Sequence, residues 1–239
     1  MLKNRKAFTT PEMLMTMLIL GVVVAMTIIV LSQETSGREV VLKVKKSYSI
    51  VANAYEQALV AEGETYEWDS MHANSFMEKI GKRLNVAENC SNSTDVNRSK
   101  VCFPGCAKIY KASGGSLDVC TSSETSKMLS AEGFSFAIQI EDPVCSTDIT
   151  GLAPTAPAAL REVCGTLLVD IDNSSKKRNK NLYGRDLFLF YVTREGMFPA
   201  GLDIDKVYPY KDGECKQKVL KDEFGCSALM VYGDNKLEK

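Results

Sequence analysis

Between Glu12 and Glu34 the chain carries no charged residue, and Met13 to Leu31 is apolar apart from Thr16, Gly21 and Thr27. Such a run cannot rest in water; lipid or other protein must cover it. About nineteen residues, helical at roughly 1.5 Å each, reach close to 30 Å, the thickness of a bilayer core. The flanks set a direction. Lys3, Arg5 and Lys6 abut the run on its amino-terminal side, and the first charge beyond it is Glu34. Arg38, Lys43, Lys45 and Lys46 lie further out. The closer basic cluster predicts a single membrane pass with the amino-terminus inside. Glu12 stands at the mouth of the run, where a carboxylate is costly unless a positive group meets it.

A secretory signal would have a shorter apolar region and a small-x-small cleavage site behind it. Here the run is followed by Ser32-Gln33-Glu34-Thr35. An uncleaved membrane anchor is the plain alternative. The segment ahead of the run, Lys3-Asn4-Arg5-Lys6-Ala7-Phe8-Thr9-Thr10-Pro11-Glu12, argues against it. It has a basic leader, a small residue, a Phe, and a Glu four positions after that Phe. This pattern resembles the processing signal of type IV prepilins and pseudopilins, and the resemblance covers residues 3–60.

The resemblance implies a leader at 1–7, removed on the cytoplasmic side by a prepilin peptidase that cuts between Ala7 and Phe8 and methylates the new amine. Ala7 departs from the family's usual Gly at this place. Glu12 becomes the fifth residue of the mature chain, and its family role is to pair with the amine of a neighbouring subunit during assembly. That pairing gives the carboxylate the partner it needs. Other pilin or pseudopilin subunits, the peptidase and the membrane are the implied partners. The implied location is the bacterial cytoplasmic membrane, head outside, and then a pilus or secretion pseudopilus. Pro11 is compatible with a first helical turn, with Thr10 as N-cap.

Beyond the apolar run, Val41, Val44, Tyr48, Val51, Tyr55 and Ala58 recur at spacings of three and four, with Lys43, Lys45, Lys46, Asn53 and Glu56 on other faces. That is an amphipathic stripe. The sequence therefore predicts one helix over 8–62, with its membrane segment at 13–31 and its stop near Gly63. The fold expected is α+β and pilin-like: a long amino-terminal helix, transmembrane then amphipathic, packed on a disulfide-braced head at 63–239 with an antiparallel sheet. Gly21 is a place where such a helix can loosen.

In the head, Asp69 to Leu84 reads as a short helix with Phe76, Ile80 and Leu84 on one face. Residues 85–131, rich in Ser, Asn, Gly and Cys, read as cross-linked loop. Strand-like runs follow at Phe134–Ile140, Gly165–Ile171 and Asp186–Thr193, with a last one at Ala228–Tyr232. Turns separate them, and the lack of helix–strand alternation argues for an antiparallel sheet. All eight cysteines follow the apolar run: Cys90, Cys102, Cys106, Cys120, Cys145, Cys164, Cys215 and Cys226. Their even number in polar sequence implies disulfides and an oxidising compartment. Cys145–Cys164 and Cys215–Cys226 are the expected pairs, with the other four pairing among themselves. Zinc through Cys102-x-x-x-Cys106 is the competing reading, weakened by the lone His72.

Other constellations point less sharply. Asp170, Asp172 and Asp186, with Asn173, Asn179 and Asn181, could offer oxygen ligands to calcium, but Lys176, Lys177, Arg178 and Lys180 intervene and EF-hand spacing is absent. Those cations read most simply as a solvated loop. The formal net charge is −1, and losing Lys3, Arg5 and Lys6 takes it to −4, so no nucleic-acid partner is expected. A single His makes His-based catalysis a poor fit, and no cofactor or catalytic residue is assigned. Tyr208 and Tyr210 are either a contact patch or a cover for the core. The sequence thus predicts a structural subunit and no enzyme. The other class it leaves open is a membrane-anchored binding protein or enzyme that never polymerises.

Overall fold

The computed structural model describes residues 10–63, 72–153, 156–172, 181–210, 215 and 224–233, with the side chains of 10, 12 and 25–37 excepted. The chain divides between Glu39 and Val40 into two compact units. Helical backbone, α1, is assigned over Thr10–Glu62 and so contributes to both.

The expected fold needs correction at this helix. Apolar side chains described in the first unit occupy only residues 13–24, which is roughly 18 Å of helix against about 30 Å of bilayer core. Among the described residues no helix is long and apolar enough to cross a membrane. A long helix with a transmembrane first half is therefore not the architecture observed. What stands is an antiparallel sheet with a few short helices and four disulfides.

The second unit is built on that sheet. Its strands are β1 (Val86–Ser91), β4 (Thr125–Ser130), β5 (Ser135–Ile140), β6 (Val163–Asp170), β7 (Leu187–Thr193) and β8 (Met197–Pro199), in that spatial order. Neighbours pair antiparallel throughout. A small hairpin, β2 (Lys108–Tyr110) with β3 (Ser116–Asp118), forms a second sheet that packs on it, with Thr166 of β6 donating its hydroxyl to the Tyr110 carbonyl at 2.7 Å. The short helices are α2 (Ala73–Gly81), α3 (Val96–Cys102) and α4 (Cys226–Tyr232).

Both faces of the sheet are covered, and strict alternation sorts the side chains. Phe136 and Ile138, Leu167 and Val169, and Phe188, Phe190 and Val192 point to one face. There they meet Val44, Val51, Tyr55 and Ala58 of α1 and Phe76, Met77 and Ile80 of α2. Ala137, Leu168, Leu189 and Tyr191 point to the other, against Phe103, Ile109, Val119 and Leu160. Strands buried on both faces read as continuous apolar runs, which is why β5, β6 and β7 stand out in the sequence. The α1 stripe works by helical period: residues four and three apart fall on one side. Tyr48 stacks on Phe190 with ring centroids 5.4 Å apart, and its hydroxyl donates to the Met197 carbonyl at 2.9 Å.

Other expectations shift in detail. The helix read over Asp69–Leu84 is Ala73–Gly81, with residues 69–71 outside the described residues and Leu84 buried just beyond its end. The segment 85–131 is not loop; it holds β1, α3, β2, β3 and β4. Its strands are short and carry polar residues on both faces, buried ones in β4, so no apolar periodicity marks them. Ala228–Tyr232 is helix, not strand. Five residues are too few for periodicity to separate the two, and the αL cap at Gly233 (φ 89°) closes the helix.

Candidate assembly site

The processing residues Ala7 and Phe8 lie outside the described residues, as does the Glu12 side chain; the Glu12 backbone falls in the first turn of α1. Immediately beyond Glu12, the side chains from Met13 to Val24 are described. Ten large apolar side chains in this stretch are 46–70% exposed. They occupy nearly consecutive positions, so apolar surface surrounds this part of the helix instead of forming one stripe. The one polar side chain among them, Thr16, turns its hydroxyl back to the Met13 carbonyl at 3.0 Å. A soluble monomer rarely leaves so continuous an apolar surface in water.

The cysteines form four disulfides: Cys90–Cys102, Cys106–Cys120, Cys145–Cys164 and Cys215–Cys226. Both pairs expected from the sequence are present, and the remaining four cysteines pair among themselves. Cys102 and Cys106 belong to different disulfides, which removes the zinc reading. Cys90–Cys102 ties β1 to α3, Cys106–Cys120 closes the base of the β2–β3 hairpin, and Cys145–Cys164 fastens the loop after β5 to β6.

Of the calcium candidates, Asp170 and Asp186 sit at the ends of β6 and β7 and are committed elsewhere. Asp170 is buried, accepting from the Asp172 N–H at 3.0 Å and from Asn181 Nδ2 at 2.8 Å. Burial pushes its carboxyl up to about 6, partly offset by those two bonds. Asp186 is held by Arg185, with Nη2 to Oδ2 at 2.6 Å, and accepts from the Leu182 N–H. Among the described residues no group of His, Cys, Asp and Glu could hold a metal ion. The basic segment 176–180 and Asn173 lie outside the described residues.

His72 is the exposed N-cap of α2, with its N–H bonded to Ser75 Oγ. Tyr208 covers core: it is half-buried, packs near Tyr110 and Phe224, and donates to the Lys111 carbonyl at 2.6 Å. Tyr210 is likewise half-buried.

Two buried charged groups escaped the sequence reading. Lys127 is fully buried in β4, and its Nζ donates to the carbonyls of Ser93 and Val119, both at 2.8 Å. Burial pushes it down to about 8, opposed by Asp118. Asp205 accepts from Tyr191 Oη at 2.9 Å and from the N–H groups of Gly201, Val207 and Tyr208. Burial raises its carboxyl above the usual range. The fold brings the Ser93 carbonyl to Lys127 and the Tyr191 hydroxyl to Asp205, whereas the N–H groups on Asp205 come from its own turn. No protein-family model, no curated protein and no solved structure matches the chain.

Proposed function

We propose that the chain is a prepilin-type structural subunit, cut between Ala7 and Phe8, that assembles with other subunits into a pilus or secretion pseudopilus. The observation that carries this reading is the exposure of the apolar side chains from Met13 to Val24. A surface of this kind is completed by other chains, and in the membrane beforehand by lipid. The disulfide-bonded head fits the outer, oxidising side of the cytoplasmic membrane. The sequence signal supplies the order of events: peptidase first, then packing, with Glu12 setting register against a neighbour's amine.

The first test is the amino-terminal peptide, read by mass spectrometry on protein from its native membranes. A peptide beginning at N-methylated Phe8 supports the reading, and a terminus still carrying Lys3 to Lys6 overturns it. Glu12→Ala then separates a polymerising subunit from a monomeric anchor. A subunit loses incorporation while its head keeps four disulfides; an anchor works unchanged.

A further inference from the structure

Three Asn-x-Ser/Thr sequences crowd residues 89–99: Asn89-Cys90-Ser91, Asn92-Ser93-Thr94 and Asn97-Arg98-Ser99. Each is the acceptor pattern for an N-linked sugar on an exported surface loop. The fold separates them. A transferase must reach the acceptor amide and the hydroxyl two residues on, so both must be exposed and free of competing bonds.

Asn89 fails this requirement. Its Oδ1 accepts from both the N–H and the hydroxyl of Ser91, at 2.9 and 3.1 Å, and the residue between them is locked in the Cys90–Cys102 disulfide. Asn97 fails as well: it lies in the first turn of α3, and its hydroxyl partner Ser99 is buried and bonded to the Ser93 carbonyl at 2.9 Å. Asn92 meets the requirement. It follows β1 in a turn closed by the Ser93 N–H on the Cys90 carbonyl. Asn92 and Thr94 are both exposed, and among the described residues neither side chain makes a hydrogen bond. The backbone between them is fixed, since the Ser93 carbonyl receives both Lys127 Nζ and Ser99 Oγ. The two reactive side chains are thus displayed on a rigid support.

A second feature faces the same residue. Asn92 lines a cleft of about 330 Å³ whose other polar walls are His72, Asn74, Ser123 and Glu124. Amide, hydroxyl, imidazole and carboxylate groups suit the hydroxyls of a sugar ring.

We propose that Asn92 is the site of an N-linked glycan whose first sugar rests in this cleft. The Asn92 Nδ2 forms a bond to the anomeric carbon of a lipid-pyrophosphate-activated glycosyl donor. The bond from that carbon to the phosphate oxygen breaks, the lipid pyrophosphate leaves with the electron pair, and one amide proton passes to a base of the transferase. The proposal rests on the head reaching the compartment where disulfides form, and not on polymerisation.

The test is peptide mass mapping of the full chain from cells that make it naturally, before and after reduction. The peptide holding Asn92 should carry whole sugar residues. The addition should vanish in Asn92→Gln and Thr94→Ala, and persist in Thr94→Ser and Asn97→Gln. A bare Asn92 in chains whose four disulfides are closed overturns the proposal, as does sugar on Asn89 or Asn97 instead. The same digest reports whether the chain starts at Phe8, so failure of the processing reading is scored separately.

Discussion

Tyr55 of α1 donates its hydroxyl proton to the carbonyl of Thr193, the last residue of β7, at 2.6 Å. Both residues are fully buried. Tyr48, two helical turns earlier, makes the matching bond to Met197 at the start of β8. The two tyrosines therefore fix α1 against the β7–β8 turn in both position and rotation. Removing the Tyr55 hydroxyl leaves a buried carbonyl without that donor. Tyr55→Phe should lower unfolding free energy by about 1–2 kcal/mol. Tyr48→Phe, at a half-buried site, should cost less, about 0.5–1 kcal/mol. Denaturant midpoints of the two variants check the order; equal or reversed losses would refute it.

Lys127 gives stability a pH dependence of known sign. Its folded value is near 8, below the ordinary lysine value of 10.5. Below pH 8 both folded and unfolded chains hold the proton, and the burial penalty is present in full. Between about 8 and 10.5 the unfolded chain binds more protons, so this residue's contribution makes stability rise with pH. Lys127→Met removes the titration while filling similar space, at the cost of two unmatched carbonyls. The gap between parent and variant should change in the parent's favour by roughly 2–3 kcal/mol from pH 7 to 10.5. Subtracting the variant's curve cancels the other titrating groups. A constant gap would mean that Lys127 titrates at its ordinary value.

The parts of this fold that the sequence announced are those with strong periodicity. The stripe of Val44, Val51, Tyr55 and Ala58 has the helical period, and β5, β6 and β7 are apolar runs bounded by turn residues. What stayed hidden has a physical cause in each case. β1 and β4 carry polar residues on both faces, and in β4 Thr125 and Lys127 are buried yet satisfied by backbone carbonyls. Buried charge in a strand looks like loop to any hydrophobicity argument. The uncharged run from Met13 to Leu31 illustrates the reverse limit, because its length in sequence did not determine the extent of the apolar helix described, residues 13–24. For the site, the apolar character of Met13 to Val24 was legible, whereas its exposure and the commitment of Asp186 to Arg185 required coordinates.

Gly201 is a position where only glycine fits. Its φ is +94°, and a Cβ there would lie 1.8 Å from the Gly225 carbonyl oxygen. The two backbones meet this closely because the Ala228 N–H must reach the Ala200 carbonyl at 2.9 Å, seating α4 beside β8. Gly201→Ala combines left-handed strain with a backbone clash, so about 2 kcal/mol is a lower bound for the loss. The loss should be accompanied by faster hydrogen exchange in α4. Gly196→Ala, where a Cβ meets nothing within 4 Å, serves as the control and should change stability by no more than about 0.5 kcal/mol.

Asp170 titrates in the opposite sense to Lys127 and also tests the calcium reading. Its carboxyl is raised from 3.8 to about 6, so the folded chain holds a proton that the unfolded chain has lost between those values. Stability from this group therefore falls as pH rises from about 4 to 6, and the penalty is full above 6. Asp170→Asn abolishes the titration; its amide oxygen still accepts from the Asp172 N–H, and Asn181 can turn its own amide to match. The variant should gain on the parent by roughly 2–3 kcal/mol across that window. A calcium ion at Asp170 would hold the carboxylate ionised and flatten the parent's slope. With Asp186 committed to Arg185, the parent's curve should instead be the same in millimolar calcium and in chelator. A calcium-dependent flattening would restore Asp170, Asp172 and Asp186 as a cation site.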